Sequence, residues 1–255
     1  MILTFDIGNS GIVICCVEEG EKRARFVLSS DKQRTADEYF VTMALLARRA
    51  GIDLESVSGA IIASVVPQLT GVLAQAAERV SGCRPLIVGP GVKSGLNIRM
   101  DDPTELGGDL VAAAVAAVER YPLPCVIVDM GTATAIGLID AKGCYVGGLI
   151  CPGVALSRSS LAQEASQLSD ISIETPKHLI GKSTRESMQS GLIYGSAAML
   201  DGIIERIEDE CRQPVTVVVT GNSAGDVIPH CRRAGIRIDE DLVMRGLWRI
   251  YMKNQ

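Results

Sequence analysis

Apolar positions along this chain come in short unbroken runs separated by tight polar turns, alternating with longer stretches of helical spacing. Ile2–Val17 reads as two strands joined at Gly8-Asn9-Ser10-Gly11, a hairpin signal. A helix is predicted over about Thr35–Ala50, opened by the capping-box pair Thr35 and Glu38 and stopped by Gly51. Ala60–Val66 reads as a strand, Gln68–Val80 as a helix and Pro85–Val88 as a strand. Thr104–Arg120 reads as a helix rich in alanine and valine. The pattern then restarts. Pro124–Asp140 is again strand, glycine turn, strand, and Lys142-Gly143 turns into a third strand over Cys144–Ile150. Helices are expected over about Ala155–Ser166 and Ser183–Arg212, the second with Ser183 and Glu186 at capping-box spacing. A strand over Val215–Val219 ends in Thr220-Gly221-Asn222, and a helix over Asp241–Lys253 closes the chain.

The restart suggests a duplication. Asp6-Ile7-Gly8-Asn9-Ser10 and Asp129-Met130-Gly131-Thr132-Ala133 each end an apolar strand and begin a hairpin, about half the chain apart. Two α/β lobes are therefore expected, residues 1–120 and 121–255, with a ligand cleft between them. Strands alternating with helices, and an apolar mass made of Val, Ile, Leu and Ala with only 4% aromatics, suit parallel sheets covered by helices. At 255 residues, either one large or two modest domains are possible.

Charge and cysteine usage narrow the class. A net charge of −5 argues against a nucleic-acid partner. No apolar run approaches the ~20 residues a membrane span needs, and the first residues lack a basic leader. The eight cysteines include no C-x-x-C pair, so they read as reduced, small hydrophobes of a cytoplasmic protein. His178 and His230 have no neighbour at metal spacing. Neither a G-x-S-x-G elbow nor a P-loop occurs.

The chemistry concentrates in the glycine turns. Gly8 and Gly131 would let backbone N–H groups approach a phosphate closely. Asn9, Ser10, Thr132 and Thr134 add short donors, and Asp6 and Asp129, at strand ends, could hold hydrated Mg²⁺ or another cation. Thr220-Gly221-Asn222 is a common kind of turn that could pack near a base or ribose. In Glu105-Leu106-Gly107-Gly108-Asp109, two glycines beside a carboxylate fit either a close substrate approach with a proton acceptor or an ordinary acidic helix start.

Asp6–Ser10, Ser64-Val65-Val66-Pro67, Glu105–Asp109, Asp129–Thr134, Gly147-Gly148 with Pro152-Gly153, Thr184 with Gly191 and Gly195, and Gly246-Leu247 resemble, in order and spacing, the type III pantothenate kinases. The resemblance spans essentially the whole chain and includes Ser187-Met188-Gln189-Ser190-Gly191. It implies a member of the actin/hexokinase/Hsp70-like superfamily with duplicated ribonuclease-H-like lobes, phosphorylating pantothenate with ATP in the first step towards coenzyme A. Carried over by position, Asp6, Ile7, Gly8, Asn9, Ser10, Gly11, Ile12 and Val13 would form the first phosphate hairpin, and Thr132 would contact ATP. Asp109 would accept the proton; Gly107, Gly108 and Leu110 would line the pantothenate site, and Thr184 would contact pantothenate across a homodimer interface. Asp129 would bind K⁺ or NH₄⁺, while Asp6 would hold Mg²⁺ through water.

Three positions depart from the family pattern. Leu110 stands where Gly-Ala-Asp-Arg has its arginine, Met100 where a tyrosine is common, and Asn222 where Thr-Gly-Gly is usual. Losing a guanidinium that contacts an anionic substrate removes a bond of ~1.5–3 kcal/mol, about a tenfold weakening or more. Two alternatives stay open at this point: a nucleotide-binding paralogue that is inactive alone and acts as a regulatory or partner subunit of a heteromeric kinase, and a kinase for a less anionic alcohol.

Overall fold

The computed structural model describes all residues, 1–255. In chain order its elements are β1 (Ile2–Ile7), β2 (Gly11–Glu18), β3 (Glu21–Ser29), α1 (Ala36–Arg49), β4 (Gly59–Ser64), α2 (Pro67–Ser81), β5 (Leu86–Ile87), β6 (Asn97–Ile98) and α3 (Gly108–Arg120). They continue with β7 (Cys125–Met130), β8 (Ala133–Ile139), β9 (Cys144–Pro152), α4 (Val154–Glu164), α5 (Thr184–Cys211), β10 (Thr216–Thr220), α6 (Ala224–Val227), β11 (Arg237–Ile238) and α7 (Leu242–Lys253). The chain divides into two compact units. One comprises Met1–Arg120 together with Asp241–Gln255, and the other Tyr121–Glu240. The sequence pattern groups 121–255 together, whereas α7 packs in the first unit against α3, β1 and β4.

In the first unit the sheet order is β3-β2-β1-β4-β5, with β1, β4 and β5 parallel and β2 and β3 antiparallel. Side chains alternate across β1. Leu3, Phe5 and Ile7 enter a core with Tyr39 and Met43 of α1 and Leu69 and Leu73 of α2. The opposite face carries α3 and α7. These two helices cross closely because the buried face of α3 is alanine (Ala112, Ala113, Ala116) and α7 meets it at Gly246. A Cβ on Gly246 would overlap the Ala112 carbonyl. The bulky face of α7 is matched in the same way: Trp248 lies over Gly20, and Tyr251 fills the space a Cβ on Gly59 would need.

In the second unit five strands run β11-β10-β7-β8-β9, with β7, β10 and β11 parallel. Numbered within each unit, the five strands of each have the order 3-2-1-4-5, so the repeat seen in the sequence is a repeat of topology. Val126, Val128 and Met130 of β7 pack with Leu192, Ile193, Leu200 and Ile204 of α5 in a separate core.

Local chemistry explains several boundaries. Thr35 and Glu38 close a complete capping box at α1. Ser183 accepts from Glu186 N–H at α5, but the Glu186 carboxylate reaches the Lys182 N–H instead of the cap residue. The helix predicted from Thr104 begins at Gly108. Asp102 caps a separate short 3₁₀ turn over Pro103–Glu105, and Leu106 is extended. All eight cysteines are free. Burial pushes the Cys15 and Cys16 thiols up to about 11 and that of Cys125 to about 12, so these behave as inert apolar groups. Cys83 departs from that expectation and is exposed. No helix is long and apolar enough to cross a membrane.

Candidate active site

In the first unit, the hairpin predicted from Gly8 forms. Asp6 pairs with Val13 and Ile7 with Ile12, and Gly8 N–H donates to Gly11 O at 2.9 Å, leaving Asn9 and Ser10 at the tip. The Gly8 carbonyl accepts from Ser30 Oγ at 2.5 Å, which ties the hairpin to the end of β3. Ile7 and Ile12 point into the core, fully buried, so only their backbone can serve a ligand, while Asn9 and Ser10 are exposed.

The carboxyl ends of β1, β4 and β5 converge at the start of α3. Val65 N–H, just past β4, donates to Ile7 O at 3.1 Å. A Cβ on Gly107 would meet Val65 at 3.5 Å, and one on Gly108 would meet Val88, just past β5, at 3.2 Å. The carboxyl edge of parallel strands is where α/β sheets place ligands. Asp109 stands there in the first turn of α3, half-buried, its Oδ1 accepting the Leu110 N–H at 2.8 Å. Burial pushes its carboxyl above the usual carboxylate range, and backbone N–H groups offset this only in part. A Cβ on Gly107 would press on that oxygen at 2.5 Å, so the glycine keeps the carboxylate open. Leu110 beside it is half-buried.

In the second unit the hairpin is one residue tighter. Asp129 pairs with Ala135 and Met130 with Thr134, and Gly131 N–H donates to Ala133 O at 3.1 Å, leaving Thr132 alone at the tip. Two glycines cup this turn. Gly153, at the amino end of α4, donates its N–H to Thr132 O at 3.1 Å and is so close that a Cβ would overlap the Gly131 and Thr132 carbonyls. Gly221, in the left-handed region at φ +94°, lies where a Cβ would sit 2.6 Å from the Met130 backbone and 2.7 Å from Asp129 Oδ1. Asp129 is aligned with Thr220 of β10, the latter buried. Thr184 is the first residue of α5, and its side chain is exposed.

The hairpin itself leaves little room for a side chain at Gly8 but ordinary room at Gly131. Neither has a positive φ. A Cβ would find Gly11 O at 3.3 Å in the first case and nothing nearer than 3.7 Å in the second. No group of three or more His, Cys, Asp or Glu side chains could cage a metal. Single carboxylates of this kind suit Mg²⁺ that arrives with a nucleotide and keeps its waters. Residues 21–29, which carry no predicted element, prove to form β3 and lead to the hairpin's anchor Ser30; the alternation Ala24, Phe26, Leu28 was the available signal. Gly153 as a hairpin support had no local signal.

A duplicated 3-2-1-4-5 α/β lobe with a glycine hairpin between its first two strands is the actin-like fold. Two solved structures share the fold. A conserved protein from Campylobacter jejuni described as a Baf family transcriptional activator aligns with TM-score 0.62 at 18% identity, covering 99% of this chain and 98% of that one. The activator of 2-hydroxyisocaproyl-CoA dehydratase from Clostridium difficile, solved with ADPNP, aligns with TM-score 0.60 at 12% identity, covering 98% and 93%. The type III pantothenate kinase family model matches residues 2–206. A type III pantothenate kinase of Moorella thermoacetica is 39% identical over 254 residues, 100% of both chains. The chain belongs to the type III pantothenate kinase family, and it is a kinase.

Proposed function

We propose that this kinase transfers the γ-phosphoryl group of ATP to the primary hydroxyl of pantothenate, giving 4′-phosphopantothenate, in the cytoplasm. The observation that carries the proposal is Asp109. It is a half-buried carboxylate at the amino end of α3, held open by Gly107 and adjoining the strand ends that carry the first hairpin. Asp109 accepts the proton of the acceptor hydroxyl as that oxygen attacks the γ-phosphorus and ADP leaves. Backbone N–H groups of Asn9 and Ser10, with the side chains of these two residues, bind phosphate oxygens, and Thr132 is a further ATP contact. Mg²⁺, when bound, neutralises charge on the phosphates. Asp6 would hold its water shell, and Asp129, beside Gly221, would hold K⁺ or NH₄⁺. Gly107, Gly108, Leu110 and Thr184 shape the acceptor site.

The active form is a homodimer on this reading. The second unit exposes Leu149, Ile150, Leu156, Leu161, Leu179 and Ile180, the last two 59% and 78% exposed, close in sequence to Thr184. A coupled ADP-release assay on the purified chain tests the function. ADP formation should depend on pantothenate and Mg-ATP and rise with K⁺. ADP release indifferent to pantothenate would reject the acceptor.

A further inference from the structure

Gln189 and Ser190 are polar, and each is only 6% exposed, on the face of α5 that meets the core. Neither serves the phosphate hairpins. Gln189 Nε2 donates to the Ser172 carbonyl at 3.1 Å, and Ser190 Oγ donates to the Leu179 carbonyl. Both acceptors lie on the 165–183 segment that joins α4 to α5 and has no helix or strand of its own. Ser172 and Leu179 are themselves exposed, so the ties come from the buried side chains of Gln189 and Ser190, which reach out of α5 to the segment's backbone. Two consecutive helix positions point about 100° apart, so one pair of side chains secures this segment at two separate points. Near its end the segment runs tightly along α5: a Cβ on Gly181 would lie 2.6 Å from the Glu186 backbone. The next residues, Lys182 and Ser183, are locked by Glu186, whose carboxylate accepts from Lys182 N–H at 2.8 Å and whose N–H donates to Ser183 Oγ at 3.2 Å. The residue delivered by this path is Thr184.

We infer that Gln189 and Ser190 are positioning residues. By holding the carbonyls of Ser172 and Leu179 they set the course of the connecting segment, and so the placement of Thr184 toward the acceptor alcohol. The inference rests on the reading of Thr184 as an acceptor contact. Losing either donor removes one tie between the segment and α5 and lets the segment shift, while the ATP-binding hairpins keep their own supports.

Steady-state kinetics of the full chain test this, with pantothenate and ATP varied separately. Ser190→Ala and Gln189→Ala should each raise the KM for pantothenate about five- to tenfold, the size of one net hydrogen bond. The KM for ATP and kcat at saturating pantothenate should stay within about twofold, and Ser190→Thr should restore the wild-type KM. If Ser190→Ala fails to fold, Gln189→Ala carries the same reading. Thr184→Val separates the two layers. If Thr184→Val raises the pantothenate KM but Ser190→Ala and Gln189→Ala do not, the positioning role is wrong. If Thr184→Val leaves that KM unchanged, the acceptor reading of Thr184 is wrong and the positioning role falls with it. A uniform loss in kcat and both KM values, accompanied by a lowered Tm, would reduce the pair to structural polar groups and overturn the inference.

Discussion

Replacing Asp109 with asparagine separates its chemistry from its packing. Asparagine keeps the shape and the acceptor oxygen that receives the Leu110 N–H at 2.8 Å, but it can neither take a proton nor carry charge. Removing a positioned general base costs about 10²–10⁴-fold in rate. Stability should move the other way. Burial raises the Asp109 carboxyl in the folded chain, so its favourable contribution is complete below the unfolded pKa and is lost as pH rises through the folded value. At neutral pH the wild type therefore bears the cost of an ionised, half-buried carboxylate, and Asp109→Asn does not. The Tm of the variant at pH 7 should equal or exceed that of the wild type, with the gap closing in acid. The acid limb of the wild-type pH–rate profile, where activity falls as Asp109 protonates, should be absent from whatever activity remains. The assays are kcat at saturating ATP and pantothenate across pH, with thermal melts in the same buffers. A variant within about twofold of wild-type kcat would refute Asp109 as the proton acceptor, and so would an activity loss that merely tracks a lowered Tm.

Other substitutions probe the supports around the site. Leu110→Arg should lower the pantothenate KM about tenfold by restoring a charge-assisted bond to the acceptor carboxylate, and an unchanged KM would show that the side chain does not face the acceptor. Gly221→Ala combines a φ of +94° with overlap against Met130 and Asp129, so it should destabilise the second unit by about 2–4 kcal/mol in a denaturant melt and weaken any monovalent-cation activation. Glu208 accepts from Arg233 at 2.7 Å through both oxygens, and the pair is about one-quarter exposed. Arg233 beside it, with help from the Val215 N–H, holds its carboxyl below the usual range, so its contribution is present above the unfolded pKa and lost as pH falls through the folded one. Glu208→Gln should therefore cost about 1–2 kcal/mol at pH 7 and progressively less in acid.

Much of the fold was legible because its signals are local. The capping pair Thr35 and Glu38, the stop at Gly51 and the two Asp-x-Gly turns each act within a few residues, and each forms as the pattern predicts. Features set at long range were not legible. The strands at 97–98 and 237–238 are two residues long and exist only through their neighbours, whereas that at 86–87 lies within the run read as Pro85–Val88. The strand at 21–29 has just three half-buried positions among charged ones. The place of α7 follows from Gly20, Gly59 and Gly246, spread across most of the chain and recognisable as a matched set only in three dimensions. The same holds at the site. The hairpin residues and Asp109 stand out in sequence, but the glycines that hold Asp129 and Thr132 in place, Gly153 and Gly221, are separated from that turn by about 20 and 90 residues.

The central claim is that this chain moves a phosphoryl group from ATP to pantothenate. ³¹P NMR of a reaction containing the purified protein, Mg-ATP, K⁺ and excess pantothenate tests it most directly. The account predicts one new phosphomonoester signal, with the mass of 4′-phosphopantothenate, growing in step with ADP. ATP left intact, or ADP accompanied only by inorganic phosphate, would contradict it.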